Sequence, residues 1–371
     1  MDFADLLDIA AIVVGFGLVG WMLVDSFETL LATSLHASRY SFTSRYYRCL
    51  WWFGRRACVR VSDDARRERW LARFGPVSFL GLLGTWTIIE IFGWGLVWWG
   101  FRTSFGAEIS SLGDAWYYSG VVYFSIGFGD ILPATDAMRF LTVVEGFSGL
   151  GTLGLVIGFL PTLTSAYASR ERQLLKLDDL TDGRITPVSL VRSYVGPDNN
   201  LDALNAMFDE WADWCGQVYD SHTSLPVLLW FRSKHRGHSW ITGLGVVTDA
   251  AMAFVAAVPG QDQGSAIRLQ RQAVRLVTDL AERVGLEPAD GPPMLARWWS
   301  VGYSVMSATG LPLRDFDDSF RRLQLMRDEF HPYMEAFIDE LLAPRGFWGV
   351  TAADHLADAE FMDIFEPDPE D

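Results

Sequence analysis

Three long apolar stretches constrain the fold of this 371-residue chain more than any other feature. They run from about Ile9 to Leu31, from Gly75 to Phe101, and from Ala137 to about Leu163. Each is long enough for the roughly 20 apolar residues that a helix needs to cross a bilayer core. Backbone polar groups have no water partners within lipid, so these stretches predict transmembrane helices rather than irregular chain.

The composition shows that apolar and charged residues are separated along the chain. Half of the residues are hydrophobic and 16 are tryptophan, yet the formal net charge is -16. From Arg170 onward the sequence becomes polar and acidic, and this region accounts for most of the low pI of about 4.8. The sequence therefore predicts a membrane-embedded first part and a second, water-soluble part of ordinary domain size.

Arginine placement predicts the orientation in the membrane. The segment between the first two spans carries ten arginines: Arg39, Arg45, Arg48, Arg55, Arg56, Arg60, Arg66, Arg67, Arg69 and Arg73. The loop that follows the second span carries one, Arg102. Arginine and lysine concentrate in cytoplasmic loops. We therefore expect a multi-pass protein of the cell membrane, with its N-terminus outside and residues 169–371 in the cytoplasm.

Aromatic residues are interleaved with these arginines, which suits a helix lying in the headgroup layer against anionic lipid over residues 39–73. The alternative is that the charges only signal topology. A nucleic-acid partner is not expected, because this basic segment lies between two membrane spans.

A further apolar segment, Leu112 to Phe124, is too short to cross a bilayer and is followed by Ser125-Ile126-Gly127-Phe128-Gly129-Asp130. Non-helical backbone at membrane depth is tolerated where it lines a cavity. The short apolar segment and the glycine-containing stretch after it therefore predict a re-entrant helix and loop. Gly127 and Gly129 can adopt positive φ, which lets successive carbonyls face one axis. An ordinary Gly- and Asp-rich turn is the alternative.

With this organisation, Asp114 to about Leu163 resembles the pore module of tetrameric potassium channels. That family typically carries Thr-Val-Gly-Tyr-Gly-Asp where this chain has Ser125 to Asp130, followed here by Pro133 and Thr135. The resemblance implies K⁺, as the permeant ion and with no other cofactor, bound at Ser125, Ile126, Gly127 and Phe128. One loop per chain implies a homotetramer, since a carbonyl ring needs several identical contributors.

The resemblance also implies roles around the loop. Tyr117 and Tyr118 stand where the family often has a tryptophan pair that braces the filter, and Gly149 stands at the usual hinge of the inner helix. Three departures weaken the expected support: Ser125 lacks a methyl group, Phe128 lacks a phenol, and Val121 replaces a glutamate common behind the filter.

Charged and helix-bending residues within the spans suggest further sites. Glu145 can support the filter from behind or face the cavity, and for both Glu145 and Glu90 simple hydrogen bonding to neighbouring helices is the alternative. Gly149 and Pro161 are predicted gating positions, with close helix packing as the alternative for the glycine.

The region after the spans shows helical periodicity over Leu201–Tyr219, Gly264–Val284 and Asp315–Leu342. Trp240 to Val258 is nearly apolar, and its Asp249 favours a buried core helix over a fourth span. His222, His235 and His238 with Cys215 fit no strong zinc pattern, so we expect surface histidines. The tail from Asp354 to Asp371 is expected to be solvated.

The sequence thus predicts an all-α integral membrane protein with three transmembrane helices, a re-entrant pore helix and filter loop, and a helical cytoplasmic domain. The predicted divisions are 1–31 (first span), 32–73 (basic loop), 74–168 (ion-channel pore domain) and 169–371. A potassium-selective channel is the expected function. A poorly selective cation channel and a non-conducting sensor or scaffold are the alternatives, and the absence of a paired nucleophile and base argues against an enzyme.

Overall fold

A computed structural model describes residues 3–30, 41–105, 109–178, 186–195, 201–233, 239–291 and 293–344. Regular structure in these ranges is helical throughout, so the predicted all-α membrane fold is confirmed. The α-helices are α1 (Phe3–Leu30), α2 (Phe42–Val59), α3 (Asp64–Gly100), α4 (Leu112–Tyr123), α5 (Asp136–Asp178), α6 (Pro187–Tyr194), α7 (Asp202–Ser224), α8 (Trp240–Ala257), α9 (Gly264–Val284), α10 (Ala296–Ser307) and α11 (Phe316–Leu341). Two short 3₁₀ helices cover Arg102–Phe105 and Pro226–Trp230.

The chain divides into two compact units, Met1–Ser165 and Ala166–Asp371. The division falls inside α5, three residues before the predicted boundary at residue 168. The first unit contains α1, α3 and most of α5, which coincide with the three predicted spans.

Close backbone contact joins α1 to α3 in the first unit. A Cβ added at Gly15 would lie 2.5 Å from the carbonyl oxygen of Gly93, and one added at Gly100 would lie 2.7 Å from that of Asp8. Small residues at such positions let two helices pack in lipid, where no hydrophobic force drives them together. An ion pair between Arg102 and Asp8 joins the two helices where α1 begins and α3 ends.

The predicted loop 32–73 is not a loop throughout, because it contains α2 and the first turns of α3. Ser41 caps α2 by accepting a hydrogen bond from the backbone of Ser44. The hydroxyl of Tyr46 donates to the carbonyl of Ser78, and further along α2 the ring of Trp51 lies 4.9 Å from that of Phe74. Helix α2 therefore runs antiparallel along the first part of α3, and the predicted boundary at residue 73 falls inside α3. The sequence did not predict this pairing, because the amphipathic pattern of α2 does not indicate which helix it packs against.

In the second unit, α8 forms the centre of the core. Four helices of the described chain, α1, α3, α5 and α8, are long and apolar enough to cross a membrane. In α8, however, 83% of the apolar window is buried within the protein. Its Asp249 accepts hydrogen bonds from Arg327 and His331 of α11. This enclosure supports the interpretation of α8 as a core helix.

His222 corrects one prediction, because it is buried rather than at the surface. Its Nδ1 donates to the carbonyl of Val218 at 2.9 Å, and its Nε2 accepts from Arg170 at 3.3 Å. Cys215 is buried as well. His235, His238 and the tail from Asp354 to Asp371 lie outside the described residues. Within the described ranges, no group of three His, Cys, Asp or Glu side chains is arranged to hold a metal ion.

Candidate functional site

Helix α4 occupies the position of the predicted pore helix. Ser111 and Asp114 form a capping box at its start: the Ser111 hydroxyl accepts from the Asp114 backbone, and the Asp114 carboxylate accepts from the Ser111 backbone at 2.8 Å. The helix then ends after 12 residues, at Tyr123. At about 1.5 Å per residue it extends roughly 18 Å, so it enters but cannot cross a bilayer core.

The loop after α4 has an alternating backbone. Ser125, Gly127 and Gly129 have φ angles of 54°, 66° and 75°. Every second residue is thus left-handed, an arrangement that turns successive peptide planes so that their carbonyls can face one side. The two glycines adopt the predicted conformation. The left-handed Ser125 was not predicted, because a left-handed non-glycine residue costs roughly 1–2 kcal/mol and nothing in its sequence environment signals it.

Two hydrogen bonds hold Ser125 in this conformation. The backbone N–H of Ser125 donates to the carbonyl of Val122 at 2.9 Å, and that of Ile126 donates to the carbonyl of Val121 at 2.8 Å. These carbonyls belong to the last turn of α4 and would otherwise lack helical partners. The end of the pore helix therefore fixes the start of the loop.

The loop is open on one side. A Cβ added at Gly127 or Gly129 would meet nothing within 4 Å, so glycine serves backbone conformation at both positions rather than close packing. All six residues from Ser125 to Asp130 are exposed in the single chain, including Phe128 at 68%. The same stretch of chain also exposes Phe124, Ile126 and Leu132, and several exposed apolar side chains together are typical of a surface that lipid or another protein covers.

The two predicted support tyrosines have different contacts. The hydroxyl of Tyr117 donates to the carboxylate of Asp130 at 2.8 Å, which joins the pore helix to the outer end of the loop. Tyr118 is buried, and its hydroxyl lies 2.8 Å from that of Thr142 on α5. Tyr117 therefore contacts the loop itself, whereas Tyr118 connects the pore helix to the inner helix.

Glu145 lies behind the pore helix. One carboxylate oxygen accepts from the hydroxyl of Ser119 at 2.5 Å, and the other accepts from the indole N–H of Trp98 at 2.6 Å. The residue is fully buried, so the cavity-facing alternative is wrong. Because Glu145 contacts the middle of α4 rather than the loop, its support of the filter would act through the pore helix.

Glu145 belongs to a row of hydrogen bonds between α3 and α5. Trp94 donates from its indole N–H to the hydroxyl of Ser148 at 3.2 Å, and the hydroxyl of Thr152 donates to Glu90 at 3.2 Å. The members on α3 are four residues apart, which places them on one face of the helix. From the sequence, only the two glutamates of this row stand out as candidate functional residues. The spacing of 90, 94 and 98 was the signal that could have revealed the tryptophans.

The predicted gating residues lie within an unbroken helix, since α5 is continuous through Gly149 and Pro161. A Cβ at Gly149 would lie 2.5 Å from the carbonyl oxygen of Tyr123, so the glycine lets the inner helix contact the end of the pore helix. This contact supports the packing alternative for Gly149. The hinge roles of both residues stay predictions.

Comparison with known proteins supports the ion-pathway interpretation. Residues 84–165 match the family model described as an ion channel. These residues include the last part of α3, the pore helix, the loop and α5 up to the end of the first unit.

A relative supports membrane location over a longer stretch. The chain is 23% identical over 253 residues to YdjJ of Bacillus subtilis (strain 168), an uncharacterised membrane protein, covering 66% of this chain and 72% of the relative. No solved structure matches the chain. The chain is a membrane protein, and the family match indicates an ion channel.

Proposed function

We propose that the protein is a potassium-selective channel that conducts K⁺ passively through a filter formed by Ser125–Asp130 of four copies. The observation that carries this proposal is the alternation of left-handed residues at 125, 127 and 129. A filter replaces the hydration shell of an ion with carbonyl oxygens, and this backbone can present such oxygens on one side.

The open side of the loop supports assembly around an axis. Each chain supplies one such loop, and a single ribbon of carbonyls cannot surround an ion. A Cβ at Gly127 or Gly129 would have no neighbour within 4 Å, so there is space beside the loop for further copies of the chain. Four copies related by a rotation axis would complete the ring, with Phe128 covered by neighbouring surface.

The ion sites would use the carbonyls of Ser125, Ile126, Gly127 and Phe128, together with the Ser125 hydroxyl at the inner end. No chemical step is needed, since the ion gradient drives the flux. Gly149 and Pro161 would bend the inner helix during gating, and residues 169–371 would regulate it from the cytoplasm. This orientation, with the N-terminus outside, rests on the arginine distribution.

A poorly selective cation channel is a second candidate, and the site contains an observation in its favour. Val121, buried at the last turn of the pore helix, supplies no side-chain hydrogen bond behind the filter. Phe128 likewise has no hydroxyl with which to tie the filter to its surroundings. A filter with fewer side-chain hydrogen bonds can admit other cations as its carbonyls rearrange.

The test measures ion flux into liposomes that contain the purified full chain. We expect flux with a K⁺ gradient and at least tenfold less with a Na⁺ gradient, and no net flux without a gradient. Gly127→Asp should abolish flux. Gly127→Ala should lower it strongly because alanine disfavours a φ of 66°.

Gly17→Ala is the matched control, since a Cβ at Gly17 in α1 also meets nothing within 4 Å but lies in ordinary helical backbone. It should leave flux unchanged. Equal Na⁺ and K⁺ flux would favour the poorly selective channel. Absence of flux, combined with no stabilisation of the tetramer by K⁺ against heat, would contradict both channel proposals and favour the scaffold.

A further inference from the structure

Helix α2 has one strongly basic side. From Ser41 to Ser62 the chain has five arginines and neither Asp nor Glu. Successive helical residues are roughly 100° apart, which groups most of these arginines on one side of α2 around a tryptophan. We call this the basic face of α2, formed by Arg45, Arg48, Trp52, Arg55 and Arg56. All five side chains are exposed.

The other sides of α2 differ from the basic face. Tyr47, Trp51 and Cys58 are buried and form the side that faces the protein. Between this side and the arginines lies an apolar side that includes Phe53, which is 61% exposed. A helix with protein-facing, apolar and basic sides suits a position where protein, hydrocarbon and charged headgroups meet.

The contacts of α2 place its second half near the end of a predicted span. Trp51 packs on Phe74, which directly precedes Gly75, the first residue of the second apolar stretch. The neighbouring Trp52 therefore lies at the same level, where apolar helix surface gives way to arginine-rich surface. Tryptophan is enriched at that level because its ring is amphipathic. The guanidinium of Arg56 lies 3.4 Å from the centre of the Trp52 ring, which keeps charge and ring together.

A buried carboxylate fixes the start of α2 to the membrane helices. Asp25 of α1 accepts from the backbone N–H of Thr43 at 3.2 Å and from its hydroxyl at 2.7 Å. It also accepts from the indole N–H of Trp86 on α3 at 3.0 Å. The N–H groups at a helix start lack helical partners and favour a negative charge. Asp25 therefore joins α1, α2 and α3 and holds the basic face in a defined position.

We propose that the basic face of α2 binds the phosphate groups of anionic phospholipids in the cytoplasmic leaflet. Asp25 acts as the positioning residue that presents this face to the headgroups. The proposal rests on the proposed orientation, in which the arginine-rich segment is cytoplasmic, and does not depend on whether the pore conducts. Membrane phospholipid is favoured over nucleic acid because the exposed tryptophan and phenylalanine lie beside the end of a span.

The experiment titrates the purified full chain, in an uncharged detergent, with phosphatidylglycerol or phosphatidylcholine and counts retained lipid by native mass spectrometry. The wild type should retain phosphatidylglycerol preferentially. The triple variant Arg45→Gln, Arg48→Gln and Arg56→Gln should weaken that retention about a hundredfold, since each arginine near anionic lipid contributes several-fold to the affinity. Phosphatidylcholine retention should not change.

Three control variants separate charge from folding. Replacing Arg45, Arg48 and Arg56 by lysine should restore most of the retention, because lysine keeps the charge. Asp25→Asn keeps every arginine and should lower retention by a smaller factor, because the face loses its fixed position. Exposed arginines of the second unit supply the matched control, a triple glutamine variant of Arg271, Arg297 and Arg321. It removes the same charge and should retain lipid like the wild type.

Equal retention by the two glutamine triples would overturn the proposal, and so would equal retention of the two lipids by the wild type. Single-stranded RNA that displaced phosphatidylglycerol from the wild type, but not from the α2 triple variant, would also overturn it in favour of a nucleic-acid surface. Because no arm measures ion flux, failure here is distinguishable from failure of the proposed channel function.

Discussion

Helices α1 and α8 are both apolar enough to cross a membrane, but their surroundings are opposite. In α1, 17% of the apolar window is buried, and large side chains such as Val13 and Phe27 are exposed. In α8 the buried share is 83%. Hydropathy therefore identifies a helix that avoids water, whereas packing decides whether lipid or protein surrounds that helix.

The two helices also pair their buried carboxylates differently. The carboxylate of Asp25 in α1 accepts hydrogen bonds from neutral groups, the Thr43 hydroxyl and the Trp86 indole N–H. Asp249 of α8 has the guanidinium of Arg327 and the imidazole of His331. A buried Asp–Arg pair depends strongly on each partner, since the loss of one leaves an uncompensated charge.

The largest expected effect is the all-or-none labelling of introduced cysteines, which tests whether α8 crosses the membrane. In the proposed orientation, the connection after α8 stays on the cytoplasmic side if α8 does not cross. In a Cys49→Ser background, an impermeant maleimide should label Ala4→Cys on intact cells and should label Asp262→Cys only after lysis. The wild-type chain, which keeps the exposed Cys49 on α2, is measured separately as the reference for the side proposed to be cytoplasmic. Labelling of both Ala4→Cys and Asp262→Cys on intact cells would show that α8 spans the bilayer.

The next effect concerns the two carboxylates. Asp249→Asn should lower the free energy of unfolding by about 3–5 kcal/mol, because Arg327 stays buried without its anion. Asp25→Asn should cost less, about 1.5–3 kcal/mol, because its partners are neutral. Guanidinium titrations of the detergent-solubilised chain, followed by circular dichroism, measure both.

Asp318→Asn is the exposed control for these substitutions. It breaks the ion pairs of Asp318 with Arg321 and Arg322, all of whose side chains are at least 38% exposed, and we expect a loss of at most about 1 kcal/mol. If Asp249→Asn cost no more than this control, the buried pair would not stabilise the core around α8.

The smallest expected effect is a pH dependence of the second unit. His222 contacts the ring of Trp240 at the start of α8, and burial together with Arg170 holds its pKa well below the usual value. The folded state therefore takes up a proton less readily than the unfolded state. The contribution of neutral His222 to the free energy of unfolding is fully present above about pH 6.5. It falls as the pH drops below that value, by at most about 1.4 kcal/mol per pH unit.

Thermal unfolding of the full chain between pH 7.5 and 5 measures this effect. His222→Gln should show a smaller loss over the same range, even if it begins less stable. The same slope in the variant and the wild type would assign the pH dependence to other groups.

Prediction from the sequence succeeded where the determinant is local. The pore helix and the positive φ of Gly127 and Gly129 follow from segment length and from the freedom of glycine. It failed where the determinant is a distant partner. The Asp25–Trp86 and Trp98–Glu145 hydrogen bonds join residues far apart in the chain, and no local pattern shows which residue each of them pairs with.

Four features follow from the amino-acid sequence alone: the apolar spans, their order, the basic segment and the glycine-spaced loop. These depend on the hydrophobic effect and on backbone sterics, which act residue by residue. Three further features became visible in the folded chain: α8 is enclosed by protein, α2 packs along α3, and Ser125 is left-handed. Each of these features depends on the groups that pack against the segment or form hydrogen bonds with it. Those groups are in place only when several helices have packed together or when a helix ends beside the segment.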